Sequence, residues 1–307
     1  MNKSSKQKEK LIMKSKALKI AIGIVLILIA ISLLIVAYFM FVDIQTKEPE
    51  TVKQNYHLSV EEFKGRKIFS ISPKEGTTSA KTILYFHGGS YVAEASDQHW
   101  EFITDLVTDT KAKVILPDYP LTPKYDYQDV MDMVIPMYEK LIEETDPNSI
   151  IMMGDSAGGG LAMGLAEKLG EKGIPVPGQL VLISPWLDVT MKNPKIDEVQ
   201  AYDHDLNKEA LKVAGIAYAG KEGMNDYFVN PIQGPLTHLK NVTIFTGTYD
   251  ILNPDVIELV NRAKAEGITI ELKEYETAGH IWIVKKNSHP TELAKQSYED
   301  LLKVLDK

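Results

Sequence analysis

From about residue 66 onward, the chain alternates short apolar runs with stretches of helical periodicity. Several of the runs are rich in β-branched residues and apolar throughout, which is typical of parallel strands buried on both faces. Such alternation predicts a mostly parallel central sheet flanked by helices on both sides, an α/β architecture. The predicted strands are 67–72, 82–86, 113–116, 149–153, 179–183, 242–246 and 269–275, and the predicted helices lie near 97–109, 127–144, 158–171, 207–218, 254–266 and 290–305.

One strand-to-helix junction holds the sequence Gly154-Asp-Ser-Ala-Gly158, which fits the pattern G-x-S-x-G. A nucleophile on such a sharp turn has strained backbone, and glycine on either side removes side chains that would collide with it. A phosphate-binding loop would need lysine after its last glycine, whereas Leu161 follows Gly160. A dinucleotide fingerprint would need glycine where Ser156 stands. The pattern therefore predicts Ser156 as a nucleophile.

A serine hydroxyl needs a base to take its proton, and the base needs an orienting acid. In this type of sheet the expected chain order is Ser, then Asp or Glu, then His. Asp250 follows the predicted strand 242–246 and His280 follows 269–275. Both therefore lie at the edge of an open α/β sheet that carries ligands, and they are the predicted acid and base. Asp188 and Asp255 are the alternatives for the acid.

The remaining histidines lack a strand-end position near the C-terminus. His289 stands before Pro290 and is better explained as part of a helix start. No pair of histidines has the spacing of metal ligands, so no metal site is predicted. These histidines are His57, His99, His204, His238 and His289. Hydrolysis by a serine, a histidine and an aspartate requires no cofactor, and none is predicted.

A glycine-rich loop, His87-Gly-Gly-Ser90, follows the predicted strand 82–86. Glycines allow backbone N–H groups to face a substrate without a Cβ in the way, as an oxyanion hole requires. The residue after the nucleophile, Ala157, is expected to supply a further donor. A plain hairpin turn is the alternative interpretation of this loop.

Several stretches together resemble the hormone-sensitive-lipase-like branch of the α/β-hydrolases, over roughly residues 66–305. The resemblance implies that Ser156, Asp250 and His280 hydrolyse carboxylic esters. It also implies oxyanion donors at Gly88, Gly89 and Ala157, and a helical cap formed by about 43–65 and 188–239. The stretches are His87-Gly-Gly-Ser-Tyr91, Asp118-Tyr-Pro-Leu-Thr-Pro123, Gly154-Asp-Ser-Ala-Gly-Gly159, Ser184-Pro-Trp-Leu-Asp188, Gly247-Thr-Tyr-Asp250 and Gly279-His280.

The chain departs from that family's pattern at four positions. Ser90 replaces a third glycine, Pro120 and Thr122 replace arginine and alanine, and Ile251 stands where proline often follows the acid. None of these changes removes a catalytic group, but Ser90 alters the room beside an acyl group. The residues named for substrate binding are Ser90, Tyr91, Tyr202, Tyr218, Met224 and Phe228. For the last four, a place in the core of the cap is the alternative.

The leading functional interpretation is a serine esterase for short to medium acyl chains. A peptidase, amidase or transacylase would use the same three side chains. A non-catalytic binding protein on a hydrolase scaffold is the alternative from another class. A fluorophosphonate probe separates these classes, because a pure binder does not react at Ser156.

The charge and cysteine content exclude several other classes. The 307-residue chain has a net charge of −8 although its start is basic, so the remainder is strongly acidic and nucleic acid is not expected as a partner. No cysteine is present. Disulfides, thiol nucleophiles and thiolate metal sites are therefore excluded.

The N-terminal part predicts a membrane anchor. Residues 20–42 carry no charge and would span about 35 Å as a helix, enough for a bilayer core. Seven lysines and one glutamate lie in 1–19, so the positive-inside rule keeps this head in the cytoplasm and places 43–307 outside. A cleavable signal peptide is the alternative. The lipid bilayer and a small ester are the expected partners.

Overall fold

The computed structural model describes residues 16, 19–27, 30–31 and 42–307. The chain divides into two compact units, Met1–Asp43 and Ile44–Lys307. The described residues from 16 to 31 are helical. Most of the predicted head 1–19, and residues 28–29 and 32–41 of the predicted anchor, lie outside the described residues. Among the residues described, no helix combines the length and apolar character needed to cross a bilayer.

The second unit is built on an eight-stranded sheet in the order β1-β2-β4-β3-β5-β6-β7-β8. The first two strands pair antiparallel, and β2 pairs antiparallel with β4. All later pairs are parallel, so the predicted, mostly parallel sheet is confirmed. The strands are β1 (Tyr56–Phe63), β2 (Arg66–Pro73), β3 (Thr82–Phe86), β4 (Lys113–Pro117), β5 (Ile150–Asp155), β6 (Gln179–Ile183), β7 (Val242–Gly247) and β8 (Ile270–Tyr275).

Helices cover both faces of this sheet, as the alternation predicts. Buried apolar side chains form two clusters: the larger, main core cluster contains Leu84 of β3, and the smaller contains its neighbour Ile83. Successive strand residues point to opposite faces, so a strand covered on both sides must be apolar throughout. The helices are α1 (Glu50–Asn55), α2 (Asp97–Thr110), α3 (Tyr127–Glu144), α4 (Ser156–Glu171), α5 (Lys195–Val199), α6 (Lys208–Ala219), α7 (Asn253–Ala265) and α8 (Glu292–Leu305).

The expectation that 43–65 contributes to a cap is wrong for residues 56–63. These residues form β1, which pairs with β2 along its whole length at the edge of the sheet. Most β1 side chains are exposed, including Glu61 and Glu62. Residues 56–61 do alternate apolar and polar, but the pattern covers only six residues and ends at the two adjacent glutamates.

The insertion between β6 and β7 contains α5, α6 and two short 3₁₀ turns. The predicted helix near 207–218 is therefore present as α6. Asn207 caps this helix, because its side chain accepts a hydrogen bond from the Ala210 amide at 3.0 Å. We refer to residues 188–239 as the insertion below.

Candidate active site

The turn between β5 and α4 raises Ser156 above the sheet edge. Ser156 has φ of 53°, the left-handed region that L residues rarely occupy. A Cβ on Gly154 would overlap the Gly158 carbonyl, and one on Gly158 would overlap the carbonyl oxygens of Phe86 and His87. The glycines of the pattern are therefore required by close backbone contact with the turn itself and with the end of β3.

The structure brings Ser156, His280 and Asp250 into one hydrogen-bonded chain. The Oγ of Ser156 lies 2.9 Å from Nε2 of His280. Nδ1 of the same ring lies 2.9 Å from Oδ2 of Asp250. All three side chains are almost completely buried. This is the geometry in which a base can take the serine proton while a carboxylate fixes its tautomer.

The electrostatics around His280 favour its charged form. Burial, the largest effect, lowers the pKa of His280, but the charge and hydrogen bond of Asp250 outweigh burial and raise that pKa above its ordinary value. The other oxygen of Asp250 accepts a hydrogen bond from the Leu252 amide at 2.9 Å. That bond fixes the carboxylate against rotation.

Asp155, directly before Ser156, holds the glycine loop in place. Its Oδ1 accepts hydrogen bonds from the Tyr85 hydroxyl at 2.6 Å and from the Gly88 amide at 3.0 Å. Its Oδ2 lies 3.2 Å from Nε2 of His99. Burial works to raise the pKa of Asp155, but these partners outweigh it and lower the pKa. Asp155 is thus a buried, ionised support for the turn.

The bond to Asp155 corrects the prediction of Gly88 as an oxyanion donor, because its N–H is already used. Within the described residues, the amides of Gly89 and Ser90 make no hydrogen bond. Both residues have positive φ, 123° and 54°. Ala157 lies in the first turn of α4, where backbone N–H groups lack helical acceptors. The available donors are therefore those of Gly89, Ser90 and Ala157.

The residues named for substrate binding divide into three groups. Tyr91 and Tyr218 are fully buried beside the glycine loop and stack with ring centroids 3.6 Å apart. Ser90 is half-buried in the same loop. Phe228 is fully buried and Met224 partly buried in the main core cluster. Tyr202 is exposed and stacks on Tyr249, next to Asp250.

The alternative acids are placed elsewhere. Asp188 accepts hydrogen bonds from the amide and hydroxyl of Thr190. Asp255 accepts one from Asn193 at 2.9 Å. Across the residues that the structure describes, neither carboxylate has a hydrogen bond to His280. No group of three or more His, Cys, Asp or Glu suited to a metal occurs in that part of the chain.

Sequence reasoning missed two groups that support the site. The first consists of Tyr85 and His99, which contact Asp155. The position of Asp155 directly before Ser156 was the available signal for a supporting role. The second is Asp203 in the insertion, whose Oδ2 accepts the Ile251 amide at 2.9 Å. Its signal was the departure from proline at position 251, because only a residue with an N–H can make this bond.

The chain is similar to known esterases and acetyl-hydrolases in sequence, and to solved esterase structures in fold. An esterase of Acinetobacter venetianus is 30% identical over 205 residues, covering 66% of this chain and 67% of its own. An acetyl-hydrolase of Streptomyces hygroscopicus is 27% identical over 203 residues, covering 66% and 68%. A crystal structure of a candidate esterase from Staphylococcus aureus superposes with a TM-score of 0.79 at 26% identity, covering 86% and 88%.

A further solved structure, an esterase from the bacterial hormone-sensitive lipase family, has a TM-score of 0.76 at 24% identity and supports the fold alone. It covers 85% of this chain and 86% of its own. A family model described as the alpha/beta hydrolase fold matches residues 83–284. That match spans the glycine loop, the serine turn and both predicted partners of Ser156. The chain therefore belongs to the alpha/beta hydrolase fold family.

Proposed function

We propose that the protein is a serine carboxylesterase in which Ser156 is the nucleophile, His280 the general base and Asp250 its orienting acid. The observation that carries this assignment is the continuous chain of two 2.9 Å contacts from Ser156 through His280 to Asp250. The protein hydrolyses carboxylic esters, in agreement with the esterase and acetyl-hydrolase relatives.

The reaction follows from this geometry in two stages. His280 takes the proton of Ser156 as its Oγ attacks the ester carbonyl, and the Asp250 carboxylate stabilises the resulting imidazolium. The amides of Gly89, Ser90 and Ala157 hold the oxyanion. The imidazolium then protonates the leaving alcohol. Water, activated by the same histidine, releases the acid from the acyl-enzyme.

Short to medium acyl chains are proposed in line with the acetyl-hydrolase relative. Tyr91, directly after the glycine loop, stacks on Tyr218 and lies 5.7 Å from the Trp186 ring, and all three rings belong to the main core cluster. Membership of the hormone-sensitive-lipase-like branch is supported by the same loop and by the fold of the relative from that family.

The decisive variant is Ser156→Ala, assayed with p-nitrophenyl acetate and butyrate. We expect turnover to fall by at least about 10³-fold, because the residual rate comes only from binding and the oxyanion donors. Labelling by a fluorophosphonate probe should disappear in the same variant. Wild-type turnover by Ser156→Ala would overturn the assignment, and a wild-type chain that does not react with the probe would favour a non-catalytic binding protein.

We also propose that residues 20–42 anchor the chain in the membrane, with 43–307 outside the cytoplasm. The support is the uncharged length of the segment and the seven lysines before it. The full chain should stay in the membrane pellet after a carbonate wash, and protease added to intact spheroplasts should degrade the catalytic unit. Release by the wash contradicts the anchor, and full protection of the unit contradicts the orientation.

A further inference from the structure

Two consecutive residues of the insertion hold the residues on either side of Asp250. The ring of Tyr202 stacks on Tyr249 at 5.1 Å between centroids. Oδ2 of the next residue, Asp203, accepts the amide of Ile251 at 2.9 Å. The insertion therefore contacts the chain both immediately before and immediately after Asp250.

Asp203 is buried, and hydrogen bonds fix its carboxylate in the orientation that this contact requires. Only 7% of the residue is exposed. Its Oδ1 accepts the amides of Asp205 and Leu206, at 2.8 and 2.9 Å, which fixes the direction of the carboxylate. Its remaining oxygen, Oδ2, accepts the hydrogen bond from the acid loop. A charged acceptor shortens and strengthens such a bond.

A second contact joins the same segment to the loop that carries the base. Asp205 forms an ion pair of 2.8 Å with Lys285, five residues after His280. The acid and base loops are also joined to each other, because the Tyr249 amide donates to the carbonyl of Ala278 at 3.0 Å. Residues 202–205 thus bridge both loops that supply partners to Ser156.

We propose that Asp203 is a positioning residue that fixes Asp250, and through it His280, by holding the Ile251 amide. This inference rests on the proposed function. The bond is possible because Ile251 occupies a position where the resembled family often has proline, which has no N–H to donate. In this chain, the residue at position 251 must therefore keep an N–H for Asp203 to hold the acid loop.

Asp203 also contributes electrostatically. The charged groups facing His280 are Asp250, Asp203 and Lys285; the two carboxylates raise its pKa, and the ammonium lowers it. Asp205 pairs with that ammonium. Removing the charge of Asp203 should therefore lower the pKa of His280, which a purely structural residue of the insertion would not do.

The test compares Asp203→Asn, Ile251→Pro and their double variant in the full chain, by kcat, KM and the pH profile of kcat/KM on p-nitrophenyl acetate. Each single variant should lose about 10-fold in kcat with KM nearly unchanged, because the reacting groups lose alignment. In Asp203→Asn the acid limb should also move to lower pH. In Ile251→Pro the charge stays, so the limb should stay.

The double variant shows whether the two residues act through one bond. If they do, Asp203→Asn has little further effect on kcat in the Ile251→Pro background, whereas independent roles give multiplied losses. Asp197→Asn removes an exposed acid of the same insertion, paired with Lys208, and should leave both kcat and the pH profile unchanged. Thermal melting reports whether each variant is folded.

Multiplied losses, or wild-type kcat in either single variant, overturn the proposal. If Asp203→Asn does not fold, Ile251→Pro decides alone, and wild-type kcat in it overturns the proposal. A wild-type chain without Ser156-dependent turnover refutes the proposed function instead. Active wild type with an unshifted acid limb in folded Asp203→Asn refutes only the role of Asp203.

Discussion

Tyr218 of α6 lies flat against Tyr91 of the glycine loop, with ring centroids 3.6 Å apart and ring planes 4° from parallel. Tyr91 has φ of 62°, an unfavourable backbone conformation for a bulky residue, and Ser90 before it is also at positive φ. The surrounding structure must impose such a conformation. The stack with Tyr218 helps to impose it, together with the Thr122 amide, which donates to the Tyr91 carbonyl at 2.8 Å.

Truncation of Tyr218 to alanine should therefore damage both stability and catalysis. Loss of a fully buried ring should cost about 3 kcal/mol or more in the free energy of unfolding. The freed loop should lower kcat for p-nitrophenyl acetate, because Ser90 and Gly89 no longer hold their amides toward the oxyanion. Tyr218→Phe keeps the stacked ring and should retain most of both. Urea unfolding and steady-state kinetics measure the two effects, and unchanged kcat in Tyr218→Ala would contradict the coupling.

The pH dependence should report the ionisation of His280. Its pKa is raised above the ordinary 6.5, and the base must be neutral to accept the serine proton. Activity should thus fall as pH drops through a value above 6.5, and kcat/KM between pH 5 and 9 measures it. A limb below 6.5 in the wild type would contradict the direction of this shift.

Asp250→Asn removes the group responsible for that raised pKa. We expect kcat to fall by about 10⁴-fold, because the amide favours the wrong tautomer of the imidazole. The acid limb of the residual activity should move to lower pH. Asp188→Asn, at the alternative acid, should keep the wild-type limb, and a large loss of kcat there with none in Asp250→Asn would exchange the two assignments.

The fold could be predicted largely from the sequence because buried parallel strands have a strong signature. The strands 82–86 and 179–183 have the predicted bounds, whereas β5 extends two residues further, to Asp155. Apolar content alone does not show that a strand runs directly into a nucleophile turn. The edge strand β1 was missed although residues 56–61 alternate apolar and polar, because this alternation covers only six residues and most of the side chains are solvent-exposed.

The candidate site could be predicted only as far as chain order and strand ends determine it. That reasoning places Ser156, Asp250 and His280 at one sheet edge, where the structure has them. It could not foresee that the Gly88 amide is taken up by Asp155, because that bond depends on the three-dimensional packing of β3 against the turn. The contact of Asp203 with Ile251 spans 48 residues, and no local pattern reveals it.

Replacement of Gly158 by alanine should disrupt the serine turn. The added methyl would overlap the carbonyl oxygens of Phe86 and His87, which are backbone atoms at the end of β3 and cannot move independently. Overpacking of this kind costs about 1–3 kcal/mol, and displacement of the turn should also remove most turnover. Melting temperature and kcat measure these effects. The control is Gly76→Ala, which meets no atom within 4 Å and should keep wild-type kcat despite its strained φ.

Glu167, three turns along α4 from Ser156, should make the protein less stable as pH rises. The residue is fully buried, and within the described residues neither carboxyl oxygen has a hydrogen-bond partner. Burial raises the pKa of Glu167 well above its ordinary 4.5, although Arg262 and Lys168 oppose this. The folded protein therefore keeps a proton that the unfolded chain releases above pH 4.5.

By linkage, the raised pKa of Glu167 contributes its full amount to the free energy of unfolding below pH 4.5. This contribution declines as pH rises from 4.5 toward the raised pKa. Glu167→Gln stays neutral at every pH. The variant should therefore gain stability relative to wild type above pH 4.5, by up to about 1.4 kcal/mol per pH unit, and lose this advantage below it. Exposed Glu139→Gln on α3 serves as the control. Urea unfolding at pH 4, 6 and 8 measures the difference, and an advantage that does not change with pH would show that Glu167 titrates normally in the folded protein.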